Sequence, residues 1–215
     1  MTIRPVTELK GKYQGYDIHV VAAGPSAGLI DPAYFNNKLA IGVNEVYRRF
    51  PNLDYLVRKE AIYADEAFAS GSPLIMSEHS CGMLRFPKNR VNGDHYIFTH
   101  RDNLLDKIDL DVIGTDRIVV SWSTITSGMH LAAYMGAANI ILVGHDCGRL
   151  DGKRNMDGYR EPPAQQGEQG YLNWLTKIEP QTIAVRKRLM EVYGCRIYSL
   201  NPFVNFGLEG HRYER

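Results

Sequence analysis

The sequence contains no apolar run approaching the roughly 20 residues that a membrane-spanning helix needs. Its first stretch, MTIRPVTELKGKYQGYD, lacks the apolar segment that directs secretion. An excess of one charge is also missing: 25 Lys and Arg face 24 Asp and Glu, a formal net charge of +1. With no overall basic field to coat a nucleic acid or hold an anionic membrane surface, neither partner is expected. Cysteine is scarce. Cys81, Cys147 and Cys195 are odd in number and show no CxxC spacing, so no disulfide framework and no metal site are expected. The nucleotide fingerprints GxGxxG and the P-loop are absent. These absences leave a globular chain of 215 residues, expected in the cytoplasm and long enough to bury a core as one domain.

Short β-branched runs alternate with helical segments, which predicts an α/β domain: a mostly parallel, Rossmann-like sheet with helices on both faces. The clearest strands are Asp17–Gly24, Lys38–Asn44, Asp54–Arg58, Arg117–Trp122, Asn139–Gly144 and Cys195–Leu200, with weaker candidates at Pro73–Ser77 and Tyr96–Thr99. Several are continuously apolar, as strands covered on both faces should be. Ser127–Gly136, small and apolar nearly all round, reads as a buried helix. Pro180–Tyr193 reads as a second, opened by a proline suited to the first turn and closed before Gly194, with Arg186, Lys187 and Arg188 on a solvated face. Two stretches resist the scheme: an irregular insert at 77–95 and a long loop at 147–170. Loops of that length in a compact domain are usually functional or disordered.

Four motifs fall at strand ends. Gly24-Pro25-Ser26 follows the first clear strand, where a glycine turn brings amides close to a ligand and the next helix start favours an anion; a tight turn with Ser26 as cap is the plainer reading. Asn44 ends the next strand, placed where open α/β sheets bind ligands and able to meet a ribose hydroxyl or a base edge. Thr126-Ser127-Gly128 opens the small-residue helix, where hydroxyls either cap the helix or hold a phosphate. His145-Asp146 ends the Asn139–Gly144 strand; Asp146 could bind a divalent metal, position a base or accept a proton. In the long loop, Arg149, Lys153, Arg154 and Arg160 could neutralise a diphosphate, although such a mixture with acidic residues also describes solvated surface. Structural roles are expected for His19 and His130, while His79 and His95 bracket the insert as candidate site residues.

Taken in order, strand–GPS, strand–GVN, WSTITSG and NIILVGHD resemble the sialyltransferase-like superfamily. That group includes the bacterial family 42 sialyltransferases and the DUF115 proteins related to 6-hydroxymethylpterin diphosphokinase. The likeness covers about residues 17–200 and is most specific over TSGMHLAAYMGAANIILVGHD, residues 126–146. It implies a Rossmann-like sheet that holds a CMP-type nucleotide-sugar donor through Gly24, Pro25, Ser26, Asn44, Thr126, Ser127 and Gly128. Asp146 or His145 would serve as base, and Arg149 or Arg154 would meet the phosphate. The chain departs from the sialyltransferases where their chemistry is concentrated. Lys177 stands at the position of their catalytic histidine, Thr124 at that of an arginine, and Gly148 and Arg154 at those of two phosphate-binding tyrosines. DUF115 proteins share the skeleton without that histidine. The resemblance therefore implies a glycosyltransferase-like enzyme using a nucleotide donor and an unspecified acceptor. An ATP- and magnesium-dependent diphosphokinase and a non-catalytic nucleotide-binding protein are the alternatives. A homo-oligomer is compatible with the sequence, which does not fix the assembly.

Overall fold

The computed structural model describes residues 2–51, 53–59, 63–77, 94–99, 107–161 and 166–200. Its centre is one eight-stranded sheet, parallel at every pairing, as the alternating pattern predicts. The strands are β1 (Thr2–Pro5), β2 (Asp17–Val21), β3 (Leu39–Val43), β4 (Tyr55–Arg58), β5 (Leu74–Ser77), β6 (Asp94–Phe98), β7 (Asn139–Val143) and β8 (Arg196–Ser199). They lie in the order β1-β6-β5-β4-β3-β2-β7-β8. Among the described residues three α-helices accompany them: α1 (Ala64–Ala69), α2 (Ile125–Tyr134) and α3 (Gly167–Tyr193).

The pleat divides the apolar residues between two layers. Ile18 and Val20 of β2, Tyr55 and Val57 of β4 and Ile75 of β5 point to one face, where Met129 and Ala132 of α2 and Val185 and Leu189 of α3 cover them. Val21, Leu56, Leu74 and Met76 point to the other, beneath Phe35, Phe50, Ala67, Phe68 and Met156. Small residues let α2 settle directly on the sheet. A Cβ on Gly128 would come within 2.8 Å of Val20 and 3.0 Å of Val43, so the helix sits too close to β2 and β3 for any side chain there.

Three expectations need correction. In Arg117–Trp122, Ile118, Val119 and Val120 are buried, but among the described residues the stretch joins no ladder. Its amides go elsewhere: Val119 N–H donates to His130 Nδ1 at 2.9 Å and Ile118 N–H to the Thr99 carbonyl at 3.1 Å. The last helix begins at Gly167, not Pro180, and carries Pro180 in its interior, so the long loop ends at residue 166. Arg186 is buried at 4% exposure, its guanidinium donating to the Ile197 carbonyl, and does not belong to a solvated face. The sequence reading has no counterpart to β1. Of the insert at 77–95, Ser77 closes β5 and Asp94 and His95 open β6; the rest, with His79 and Cys81, lies outside the described residues, as do loop residues 162–165.

Candidate functional site

The strand order reverses between β2 and β7: from β2 the chain proceeds through β3 to β6 on one side, and from β7 to β8 on the other. Crevices form outside the carboxyl ends of such strands. Here the two ends almost touch. Ala22 N–H donates to the Val143 carbonyl at 2.8 Å and Gly24 N–H to the Gly144 carbonyl at 2.7 Å. A Cβ on Gly24 would lie 2.4 Å from the Gly144 oxygen, and one on Gly144, whose φ is +66°, would lie 2.4 Å from the Ala22 oxygen. Only glycine permits this approach.

Beyond the glycines, Ser26 binds Asp146 twice. Its backbone N–H donates to Oδ2 at 2.7 Å and its hydroxyl donates to Oδ1, all at buried positions. Gly24–Gly28 also spells G-x-S-x-G, the letters of a nucleophile elbow, a motif that the sequence reading counts as absent. The geometry differs from an elbow: the segment is a 3-10 turn, and the Ser26 hydroxyl binds a carboxylate directly, with no imidazole between them.

A cavity of about 150 Å³ opens over these ends. Of the residues singled out from sequence as candidate ligand contacts, Gly24, Asn44, His145, Asp146, Arg154 and Arg160 line it. Pro25, Ser26, Thr126, Ser127, Gly128 and Arg149 do not; they stand behind the wall. Ser127 Oγ donates to the Val119 carbonyl at 2.8 Å, and Thr126 Oγ1 lies 2.8 Å from both Ser121 Oγ and the Ser123 carbonyl. These hydroxyls pin the extended segment before α2 and so place Ser123, Thr124 and Ile125 on the cavity surface.

Asn44, Tyr63 and Cys147, three of the four non-glycine residues found at positive φ among the described residues (56°, 58° and 49°), line this cavity. Backbone of this kind is sparsely populated and clusters at ligand sites. Asn44 is held by its own backbone, its N–H donating to the Val57 carbonyl at 3.1 Å and its carbonyl accepting from Arg58 Nη1 at 3.2 Å.

The loop cations are anchored by carboxylates. Arg149 and Arg154 both donate to Glu168 in the first turn of α3, and their guanidinium groups lie 5.3 and 4.7 Å from the Tyr171 ring centroid. Arg160 reaches across to buried Glu45 at 2.9 Å and to Glu66 of α1 at 3.0 Å, over the Tyr63 ring. The loop is thereby strapped to the far wall.

His145 is 4% exposed, and burial, with the Arg186 charge, pushes it down to about 3. It is a neutral imidazole at ordinary pH. Burial pushes Tyr171 up to about 12. His130 and His19 are buried as expected, with Nε2 of His130 3.0 Å from Tyr193 Oη and Nε2 of His19 3.2 Å from Tyr34 Oη. His95, a candidate site residue in the sequence, is instead a buried brace whose Nδ1 accepts the Leu74 N–H at 3.0 Å. Lys177 lies within α3, its ammonium 4.2 Å from the Trp122 ring centroid. Among the described residues, no group of three or more His, Cys, Asp and Glu is placed to hold a metal ion, and no helix is long and apolar enough to cross a membrane.

Sequence reasoning missed Glu45, Lys59, Tyr63, Trp122, Tyr159, Tyr171 and Trp174 as members of the wall. Position at a strand end would have found Glu45 and Lys59, and the rarity of tryptophan was a signal for two others.

No family model and no curated protein matches the chain. Solved structures do. The sialyltransferase CstII from Campylobacter jejuni, in complex with the substrate analogue cytidine-5'-monophosphate, is 14% identical with a TM-score of 0.53 over 92% of this chain and 85% of that one. Sialyltransferase CST-II in complex with a trisaccharide acceptor and CMP is 13% identical, with a TM-score of 0.51 over 91% of this chain and 85% of that one. The apo α-2,3-sialyltransferase from Campylobacter jejuni is 13% identical, with a TM-score of 0.50 over 98% of this chain and 87% of that one. The chain has a sialyltransferase-like fold.

Proposed function

We propose that the protein is a transferase that binds a CMP-type nucleotide sugar in the cavity and moves the sugar to an acceptor hydroxyl. One observation carries the reading: Gly24, Asn44 and the His145-Asp146 pair, from three separate strand ends, line a single cavity at the point where the strand order reverses. The likeness of the fold to sialyltransferases solved with CMP supports it.

In this reading the Asn44 amide meets the ribose or base, and the phosphate lies over the strand ends that Gly24 lets converge. Arg154 stabilises the charge developing on the leaving phosphate. The acceptor oxygen forms a bond to the anomeric carbon as the bond from that carbon to the phosphate oxygen breaks. CMP leaves with the electron pair and the hydroxyl proton passes to a base. Asp146, which lines the cavity just past β7, takes that role, with the neutral imidazole of His145 beside it. Two bonds from Ser26 hold the Asp146 carboxylate in place at the cavity wall. Arg149, one residue layer back, holds Glu168 beside Arg154.

Calorimetric titration with CMP, UDP, GDP and ATP, each with and without magnesium, tests the proposal. Metal-independent CMP binding that weakens on Asn44→Ala is expected. Silence from all four nucleotides in a folded sample, or magnesium-dependent binding of ATP alone, would overturn it, the latter in favour of a diphosphokinase.

A further inference from the structure

We infer that Lys59 is a positioning residue of the site: its ammonium, reaching over from the end of β4, holds the segment before α2 in place and thereby sets the width of the cavity. The inference rests on the transferase reading above. It begins with the backbone of Arg117–Trp122, which joins no ladder among the described residues and so lacks strand partners for its peptide groups. Side chains take over that task. Val119 N–H donates to His130 Nδ1 at 2.9 Å, the Val119 carbonyl accepts from Ser127 Oγ at 2.8 Å, and Trp122 N–H donates to Gln181 Oε1 at 3.0 Å. Those three partners stand on α2 and α3. Lys59 comes from the sheet instead. Its Nζ donates to the Ser121 carbonyl at 2.6 Å and to the Trp122 carbonyl at 3.1 Å.

Both ends of this link lie on the cavity surface: Lys59 lines it, and so do Trp122, Ser123 and Thr124. The residue before Lys59 performs the matching task on the other flank. Arg58, buried at 3% exposure, donates from Nη1 to the Asn44 carbonyl at 3.2 Å. Two consecutive cations at the end of β4 thus hold the Asn44 turn and the segment before α2 at a fixed separation. A long, flexible lysine costs entropy to order, and two carbonyls bordering a cavity can bond to water instead. The fold therefore does not require Lys59, whereas the spacing of the two walls does. A ligand that touches both walls binds well only while that spacing is right, because small displacements of its contact groups cost large factors.

The full chain is compared with Lys59→Met, which keeps the length and loses the donor, and with Lys59→Arg, which keeps the charge. CMP affinity is measured by calorimetry at low and at high salt. In a Trp174→Phe background Trp122 is the one tryptophan, and quenching of its emission by acrylamide reports on the segment. Lys59→Met should bind CMP about tenfold more weakly, by the same factor at both salt concentrations, and Lys59→Arg should recover most of the loss. Trp122 should become more accessible to acrylamide in Lys59→Met. Unchanged CMP affinity in folded Lys59→Met would overturn the inference. A loss that shrinks at high salt would also overturn it, by making Lys59 a direct partner of the phosphate. Absence of nucleotide binding in the native chain would overturn the proposed function, and unaltered Trp122 quenching in Lys59→Met would overturn the inference by itself. Should Lys59→Met fail to fold, Lys59→Gln carries the same comparison, and failure of both to fold would make Lys59 a structural staple and overturn the inference.

Discussion

Gly24 and Gly144 mark the closest approach of the two strand ends, and a single methyl group is enough to test it. In Gly24→Ala the new carbon would meet a carbonyl oxygen at 2.4 Å and the Asp146 carboxylate at 2.7 Å, so backbone must move. The variant should lose about 1–3 kcal/mol of stability in urea unfolding and lose CMP binding in calorimetry. The Ser26–Asp146 pair should behave as a unit: Ser26→Ala and Asp146→Asn each cost about 1–3 kcal/mol, and the double variant costs less than their sum by about 1 kcal/mol or more. Additive losses in a double-mutant cycle would contradict that coupling. Protonation provides another test at this scale. Burial pushes His130 and His145 down to about 3, against about 6.5 in an unfolded chain. Between those values the unfolded state binds more protons. Stability is therefore full above pH 6.5 and falls as pH drops, by about 1.4 kcal/mol per unit for each histidine. Urea midpoints at pH 7 and pH 5 should differ accordingly, and equal midpoints would show that the imidazoles are not buried neutral.

Among the elements, α3 shows both how far the sequence could be read and where it misled. Tyr171, Leu175, Ile178, Thr182, Val185 and Leu189 form one buried stripe at steps of three and four, running straight past Pro180. Reading the proline as a helix start hides the first half of that stripe. Packing of the stripe outweighs the missing amide and the steric clash, which cost about 3 kcal/mol in a helix interior. Pro180→Ala should consequently raise the thermal midpoint. The strands were legible where apolar residues run unbroken, as in β3 and in Ile140–Val143 of β7. The same signal failed at Arg117–Trp122, because it reports burial and not membership of a ladder. β1 is four residues at a sheet edge, ending in proline, too short to show a period. At the cavity, strand-end position revealed Gly24, Asn44 and Asp146. Nothing local in the sequence foretold the left-handed backbone at Tyr63 and Cys147, or that α3 would bring Trp174 beside them. The loop before α3 makes a prediction too: Arg160→Ala removes its bonds to Glu45 and Glu66, and limited proteolysis within residues 147–161 should become faster.

For the molecule as a whole, a net charge of +1 means that phosphate would be met locally, not drawn in by a long-range field. The rate of CMP association should change little with ionic strength, and a steep dependence in stopped-flow measurements would show that the loop cations act at a distance. The sheet order has a consequence in time. Ser26 and Asp146 are 120 residues apart, and β2 must leave one edge open until β7 has been made and paired. About two thirds of the chain, through Asp146, must be synthesised before this crevice has two sides. Ligand binding is then a late acquisition of the folding chain, and it would be among the first abilities lost when β7 and β8 peel from the sheet.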